Sequence, residues 1–387
     1  MSPGQRDFLE SIFSLAWPED QPNRASGTPH SPGVIQSSKS DNDLDEDEDP
    51  ENVQEAVIGF LSLDRNVESN GLPFIMQAYA TWLSHFAFEP LRIIHSARSE
   101  AFRGYVLGEE SRQIMTLMAN CVHENTQSAE FDPVVNPPFL MAGALLRRRL
   151  TQAHTCVETS RDLDRKHAIE AMLFTNQWSS IQSKVGSLSS ILGFLQLAAP
   201  IFRRACPDSL EGLVNLPTLF ATMNAALQCY SSRDVLLGVL TGRPMFFRYT
   251  VDFTLEAPES LFLLVDAPGV RWAHGVPDRL IMTFAQMNGL LEDFGPHVPK
   301  QVIDELEEEI KRMKPIIGSS AKLLLSVGRM VVQECWFLAA LIYLYMGLCG
   351  VDSTDTRVVN VQAQFMRTLA SVRPRRNPDS FLVLPMV

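Results

Sequence analysis

From Cys335 to Val351 the chain reads CWFLAALIYLYMGLCGV, 17 residues without a charge. A run this apolar must leave water, which restricts the chain to two kinds of structure: a globular fold built around the run, or a helix set in lipid. A membrane-spanning helix needs about 20 consecutive apolar residues. Here Gln333 and Glu334 already close the run at its N-terminal edge. The spacing predicts a helix over residues 320–348, the longest and most apolar of the chain, buried at the centre of a protein core.

The sequence from Val53 onward agrees with a helical core. Leu72, Ile75, Tyr79, Trp82, Leu83 and Phe86 recur at three- and four-residue steps, and Pro90 ends that helix or opens the next. Ile114, Leu117, Met118 and Cys121 mark another. Ile181, Val185, Leu188, Leu192 and Leu195 mark a third, which is expected to run up to Pro200. Pro277 and Pro299 each open a helix. The second of these pairs Glu307 with Lys311 and Glu308 with Arg312 on its outer side. Asp352, Ser353 and Thr354 form a capping cluster ahead of Val358, Val361, Phe365 and Leu369. Met245–Phe253 is the one β-rich run, and no period of 20–50 residues marks a repeat array. The expected fold is all-α, one large multi-helix domain over residues 53–387.

The N-terminal segment is different. Residues 1–60 hold 13 acids against 3 bases, a net of −10, which leaves −2 of the chain's −12 for everything after them. Residues 1–17 read as a short amphipathic helix carrying Phe8, Leu9, Ile12, Phe13 and Leu15, too short to persist without docking. Residues 18–52 combine five prolines with the run DNDLDEDEDPEN. They bury too little apolar area to offset chain entropy and read as a disordered acidic linker. The N-terminus lacks the sustained apolar core of a secretory signal. The six cysteines show no close pairing and suit buried thiols in a reducing compartment.

Motifs of catalysis are absent. The sequence holds no Gly-x-Ser-x-Gly, no Gly-x-x-x-x-Gly-Lys, no Gly-x-Gly-x-x-Gly and no His-Glu-x-x-His. Cys121 and His123, like His154 and Cys156, place metal-ligand types two residues apart. On a helix such pairs diverge by about 200° and do not chelate one ion. Arg147–Arg149 and the group Arg373, Arg375 and Arg376 are short and not interleaved with aromatic residues, so they read as solvated helix ends. A nearly neutral body without a basic face argues against electrostatic retention of nucleic acid.

Several blocks resemble the fungal-specific transcription factor domain family, most closely the basidiomycete branch of the fungal binuclear-zinc-cluster regulators. They are Arg329-Met-Val-Val-Gln-Glu-Cys-Trp336 with Ala340–Gly350, Thr241-Gly-Arg-Pro244, Trp272-Ala-His-Gly-Val-Pro-Asp278, Ala199–Cys206 and Leu72-Pro73-Phe74, in the family's order from about residue 54 to the end. The resemblance implies a helical regulatory domain of an RNA polymerase II transcription factor. Such a domain is nuclear, contacts transcription-related proteins or a DNA-binding partner, and responds to a small-molecule effector. The family's zinc cluster needs six cysteines within about 30 residues. Here the first cysteine is Cys121. Neither zinc nor sequence-specific DNA binding carries over to any residue, and zinc is expected only if a separate upstream module exists. Family members also continue for further helices, so an incomplete C-terminus is expected.

Three residues are candidates for an effector pocket or a buried polar contact. Glu334 puts a carboxylate beside the apolar run, which is costly unless paired. His274 stands between Trp272 and Pro277, and Trp336 is the second residue of the run. Tyr343, Tyr345 and Met346 read as core. No catalytic residue is expected. The competing functional classes are a membrane-associated helical protein using residues 330–351 and an enzyme whose cleft gathers groups such as His274 and Glu334.

Overall fold

The computed structural model describes residues 49, 51–58, 71–127, 131–318, 323–372 and 380–386, all within the compact unit Leu44–Val387. The amphipathic helix expected over 1–17, nearly all of the 18–52 linker, and Arg373, Arg375 and Arg376 lie outside the described residues.

The fold is all-α. Helices α1 (Val53–Ile58), α2 (Gly71–Phe86), α3 (Ile94–Val106), α4 (Glu109–Gln127), α5 (Pro137–Thr155) and α6 (Arg161–Met172) form the first part. They are followed by α7 (Thr175–Val185), α8 (Leu188–Ala205), α9 (Leu216–Ala221) and α10 (Ala225–Thr241). The last part holds α11 (Arg271–His274), α12 (Asp278–Phe294), α13 (Lys300–Arg312), α14 (Leu323–Tyr343), α15 (Thr356–Leu369) and α16 (Val383–Met386). Two-residue strands β1 (Val214–Asn215) and β2 (Tyr249–Thr250) pair in parallel, Val214 opposite Tyr249. The β-rich run thus contributes one short pairing, while the rest of Met245–Phe253 is irregular.

Local chemistry sets the helix boundaries. Pro90 opens a 3₁₀ turn, Pro90–Ile93, that leads into α3. The helix expected to run from Ile181 to Pro200 is two helices. Gly186 is extended (φ −93°, ψ 167°), and the Ser187 hydroxyl caps α8 by accepting the Ser190 N–H at 3.2 Å. Pro200 lies inside α8, which continues to Ala205. The α15 cap is Asp355, which accepts the Arg357 N–H at 2.9 Å. Asp352, read as part of that cap, instead closes a local turn by accepting the Thr354 N–H at 2.8 Å.

Helix α14 and the π turn that follows it, Leu344–Leu348, form the apolar centre, packed against α13 and α15. The stretch Leu325–Leu348 is long and apolar enough to cross a membrane, and 67% of its most apolar window is buried inside the protein. Val332, Cys335, Trp336, Ala340 and Leu344 are enclosed. Met346, read as core, lies in the π turn and is 41% exposed. Tyr343 and Tyr345 keep their bodies in the core and anchor their hydroxyls, Tyr343 on Asn288 Oδ1 at 2.7 Å and Tyr345 on Glu307 Oε1 at 2.9 Å. In the other half of the fold Phe202 stacks on Tyr230 at 4.2 Å, and the Tyr230 hydroxyl donates to the Leu195 carbonyl at 2.9 Å.

Candidate functional site

A cavity of about 40 Å³ lies between α2, α3, α4 and α7. Helical spacing builds its walls: Ile75, Tyr79 and Trp82 form one stripe of α2, and Met115, Met118 and Val122 form one of α4. The enclosed space fits one or two water-sized groups, and with the adjoining open volume it reaches about 520 Å³. Its lining is almost wholly apolar.

Three polar side chains interrupt that lining, and they are tied together. The Gln177 amide donates through Nε2 to Glu100 Oε1 at 2.9 Å and to the Tyr79 hydroxyl at 3.3 Å. Both amide hydrogens are thereby occupied and the side chain is fixed. Gln177 Oε1 is buried and accepts nothing. Burial pushes the Glu100 carboxyl above its usual pKa, against the stabilising effects of Gln177 and Arg103, and the Tyr79 phenol is also raised. Such a site offers an apolar molecule one acceptor, Gln177 Oε1, next to a carboxyl whose pKa burial raises. It presents no nucleophile with a base in hydrogen-bond reach.

Glu334, His274 and Trp336 are not brought together, and none lines this cavity. Glu334 is partly exposed on α14, with its pKa raised by desolvation and opposed by Lys314. Trp336, two residues on, points to another side of the helix. It is 2% exposed and meets Phe284 edge-on at 6.2 Å, and its indole N–H has no partner. His274 ends α11 with Nε2 buried and unpartnered. Burial, then the charges of Arg233 and Lys184, push its pKa down to about 3. Of the cavity's polar groups only Tyr79 stands in a stripe legible from the sequence. Glu100 and Gln177 meet across 77 residues, a distance that no local pattern reports.

Polar residues within or beside the blocks that carry the family resemblance act as buried clamps. Arg204 donates through Nε to Asp164 Oδ2 at 2.9 Å. Asp234, paired with Arg243 at 3.3 Å, also accepts the Phe246 and Phe247 N–H groups and the Tyr249 hydroxyl. Arg329 forks onto Glu51 at 2.6 and 3.1 Å, and Gln333 exchanges two 2.8 Å hydrogen bonds with the Ile316 backbone. Gly269, at φ 127°, lets the chain pass Asp278 where an added Cβ would lie 2.5 Å from the carboxylate. The Asp278 carboxylate in turn accepts the Val270 N–H at 2.6 Å.

The arginine triplet lies inside α5 and not at its end. Arg148 pairs with Glu110 at 2.7 Å, and Arg149 donates to the Glu170 carbonyl at 2.9 Å. Among the described residues no three His, Cys, Asp or Glu side chains stand close enough to hold a metal ion. The Cys121 thiol is buried and its pKa is pushed up to about 12, while Cys156 is exposed. No protein-family model, curated protein or solved structure matches the chain.

Proposed function

We propose that the chain is a non-enzymatic regulatory domain of the fungal transcription factor kind, acting in the nucleus through protein contacts and taking an apolar effector in the α2–α4–α7 cavity. The cavity carries this reading. It joins an apolar lining to one fixed, unsatisfied acceptor, the composition of a small-molecule site and not of a catalytic one. The ordered sequence blocks and the all-α architecture are what the family reading calls for, and the ion-pair clamps beside those blocks give them a structural role. The chain's partner would be a transcription-related protein or a DNA-binding subunit, with DNA recognition residing outside this chain.

The test is a reporter assay with the full chain fused to a heterologous DNA-binding module in fungal cells. A change in transcription that is lost when Ala119→Phe fills the cavity is expected. No change in transcription, with the chain excluded from the nucleus, would overturn the reading.

The length and apolarity of Leu325–Leu348 favour a second reading, a membrane-associated protein. Fractionation separates the two, since recovery of the intact chain only with detergent would select the membrane reading.

A further inference from the structure

Helices α12 and α13 and the segment that carries β2 enclose a groove of about 420 Å³. Pockets that hold a ligand or an anchoring side chain run from about 300 to 1,000 Å³. Helical spacing builds this one. Val302, Glu305 and Glu309 stand at three- and four-residue steps along one edge of α13, beside the stripe Ile303, Leu306 and Ile310 that is buried. Leu290 and Asp293, three residues apart, line the α12 wall, and Met245 and Arg248 complete it from the β2 segment. Met245, Leu290, Val302 and Leu306 make much of the lining apolar.

The charges around the groove do not cancel. Arg248 meets Glu292 at 3.0 Å and Asp293 at 2.5 Å, and Arg279 meets Glu309 at 2.9 Å and Glu259 at 2.7 Å. Two guanidinium groups are thus shared among four carboxylates. Glu305 adds a fifth. It accepts the neutral Gln301 amide at 3.0 Å, and among the described residues no cation pairs with it. Five acids against two bases leave the network at −3, whereas residues 61–387 as a whole sum to −2. The negative charge is therefore a property of this groove and not of the body. It continues past the groove, where Asp304 and Glu308 share with Glu305 an adjoining hollow in which Lys300 is the one base.

We propose that this groove docks a basic amphipathic segment of a partner protein, with apolar side chains entering between α12 and α13 and a Lys or Arg meeting Glu305. Shape and charge select that occupant together. An apolar hollow with a surplus of acid at its rim complements a stripe of apolar residues flanked by basic ones. The same sign repels nucleic acid and an anionic membrane surface. The inference rests on the proposed function in taking the occupant to be a protein, and it is independent of the α2–α4–α7 cavity. A chain that binds a basic segment here but leaves the reporter unchanged would refute the nuclear role and keep the groove. The opposite result would refute the groove alone.

The probe is a labelled helical peptide with Leu at three- and four-residue steps and Lys at the remaining positions, titrated into the full chain and read by fluorescence anisotropy. Saturable one-to-one binding is expected, weakening between about 50 and 200 mM salt. Glu305 is exposed, so Glu305→Lys keeps the fold, and it should weaken binding roughly fivefold or more. Val302→Trp fills the groove without changing its charge and should weaken binding as well. Glu211→Lys makes the same charge change at an exposed position outside the groove and should bind like the native chain. The proposal fails if Glu211→Lys weakens binding as much as Glu305→Lys does, or if Glu305→Lys and Val302→Trp both bind the peptide as the native chain does. It fails too if a peptide with Ser in place of Leu binds as tightly, which would leave only a general attraction for cations. Equal binding of a peptide with Glu in place of Lys would remove the role of charge and overturn the assignment.

Discussion

Arg271 and Glu89, 182 residues apart in sequence, form an ion pair at 3.2 Å in which the guanidinium is fully enclosed. The pair ties α11 to the loop before α3. Arg271 also donates to the Val265 carbonyl at 2.6 Å, and Glu89 also meets Arg92 at 3.3 Å. Burial lowers the Arg271 pKa and the Glu89 charge opposes that shift, so the enclosed guanidinium relies on Glu89 for its counter-charge. Removing one partner leaves a buried charge uncompensated, at a typical cost of about 3–5 kcal/mol. Glu89→Ala should lower the urea midpoint accordingly, and adding Arg271→Met should recover part of the loss. If the double variant were less stable than Glu89→Ala alone, the pair would not be what Arg271 needs.

The Asp278 carboxyl gives a pH signature. Burial is the main cause that raises its pKa from 3.8 to about 6, against the Val270 N–H and the Arg271 and Arg92 charges. The folded state then holds a proton that the unfolded state has released, so this group's contribution to stability falls as pH rises from about 4 to about 6 and is flat above. A shift of two units corresponds to about 3 kcal/mol. Asp278→Asn keeps an acceptor for Val270 without the titration. Its stability relative to the native chain should rise across that window, measured by urea unfolding at pH 4, 5, 6 and 7. A difference independent of pH would show that Asp278 does not titrate there.

The apolar cavity predicts a chain-length and headgroup preference. An alkyl alcohol gains from burial of its tail, about 0.8 kcal/mol per methylene, and its hydroxyl can donate to Gln177 Oε1. The smallest alcohols, methanol to propanol, should raise the melting temperature, and more than the alkanes of equal length, while octanol is too large for the enclosed space. Gln177→Leu should erase the difference between alcohol and alkane, and Ala119→Phe should abolish both effects. Equal stabilisation of the native chain and Ala119→Phe would place the alcohols elsewhere.

How much of this was legible in the sequence follows from the range of each interaction. Periodicity reports which side of a helix is apolar, and it located the helices around Trp82, Met118, Phe284, Ile303 and Phe365, all of which bury as expected. It missed the break at Gly186 because Val185 and Leu188 keep helical spacing across it, and a capping serine was needed to see it. Pro200 was misread as a stop, although an interior proline costs one hydrogen bond that a well-packed helix can lose. The site was largely illegible. Charged residues are surface residues by default, so nothing marked Arg233 or Arg271 as buried. Glu100, Gln177 and Tyr79 meet only through the packing of three helices. Glu334, His274 and Trp336 stood out because each was anomalous in its local context, and local context did not place them at one site.

The last prediction concerns zinc and DNA. A transcription-factor reading invites both, yet the residues needed for either are not gathered among those described. A zinc site needs about four thiolates or imidazoles in one shell, and no three candidate ligands converge there. Cys121, Cys206, Cys229 and Cys335 are buried with pKa values pushed up to about 12, which disfavours the thiolate that zinc requires. Sequence readout needs arginines free to reach base edges and phosphates. In the one described triplet, Arg148 and Arg149 are already held by Glu110 and Glu170. The chain exposed to excess zinc and then dialysed should retain less than one equivalent by elemental analysis, and a chelator should leave its melting temperature unchanged. Binding to a random DNA pool should be unselective and lost steeply between about 50 and 200 mM salt. Two retained zinc ions, or salt-resistant enrichment of one DNA sequence, would assign DNA recognition to this chain and not to a partner.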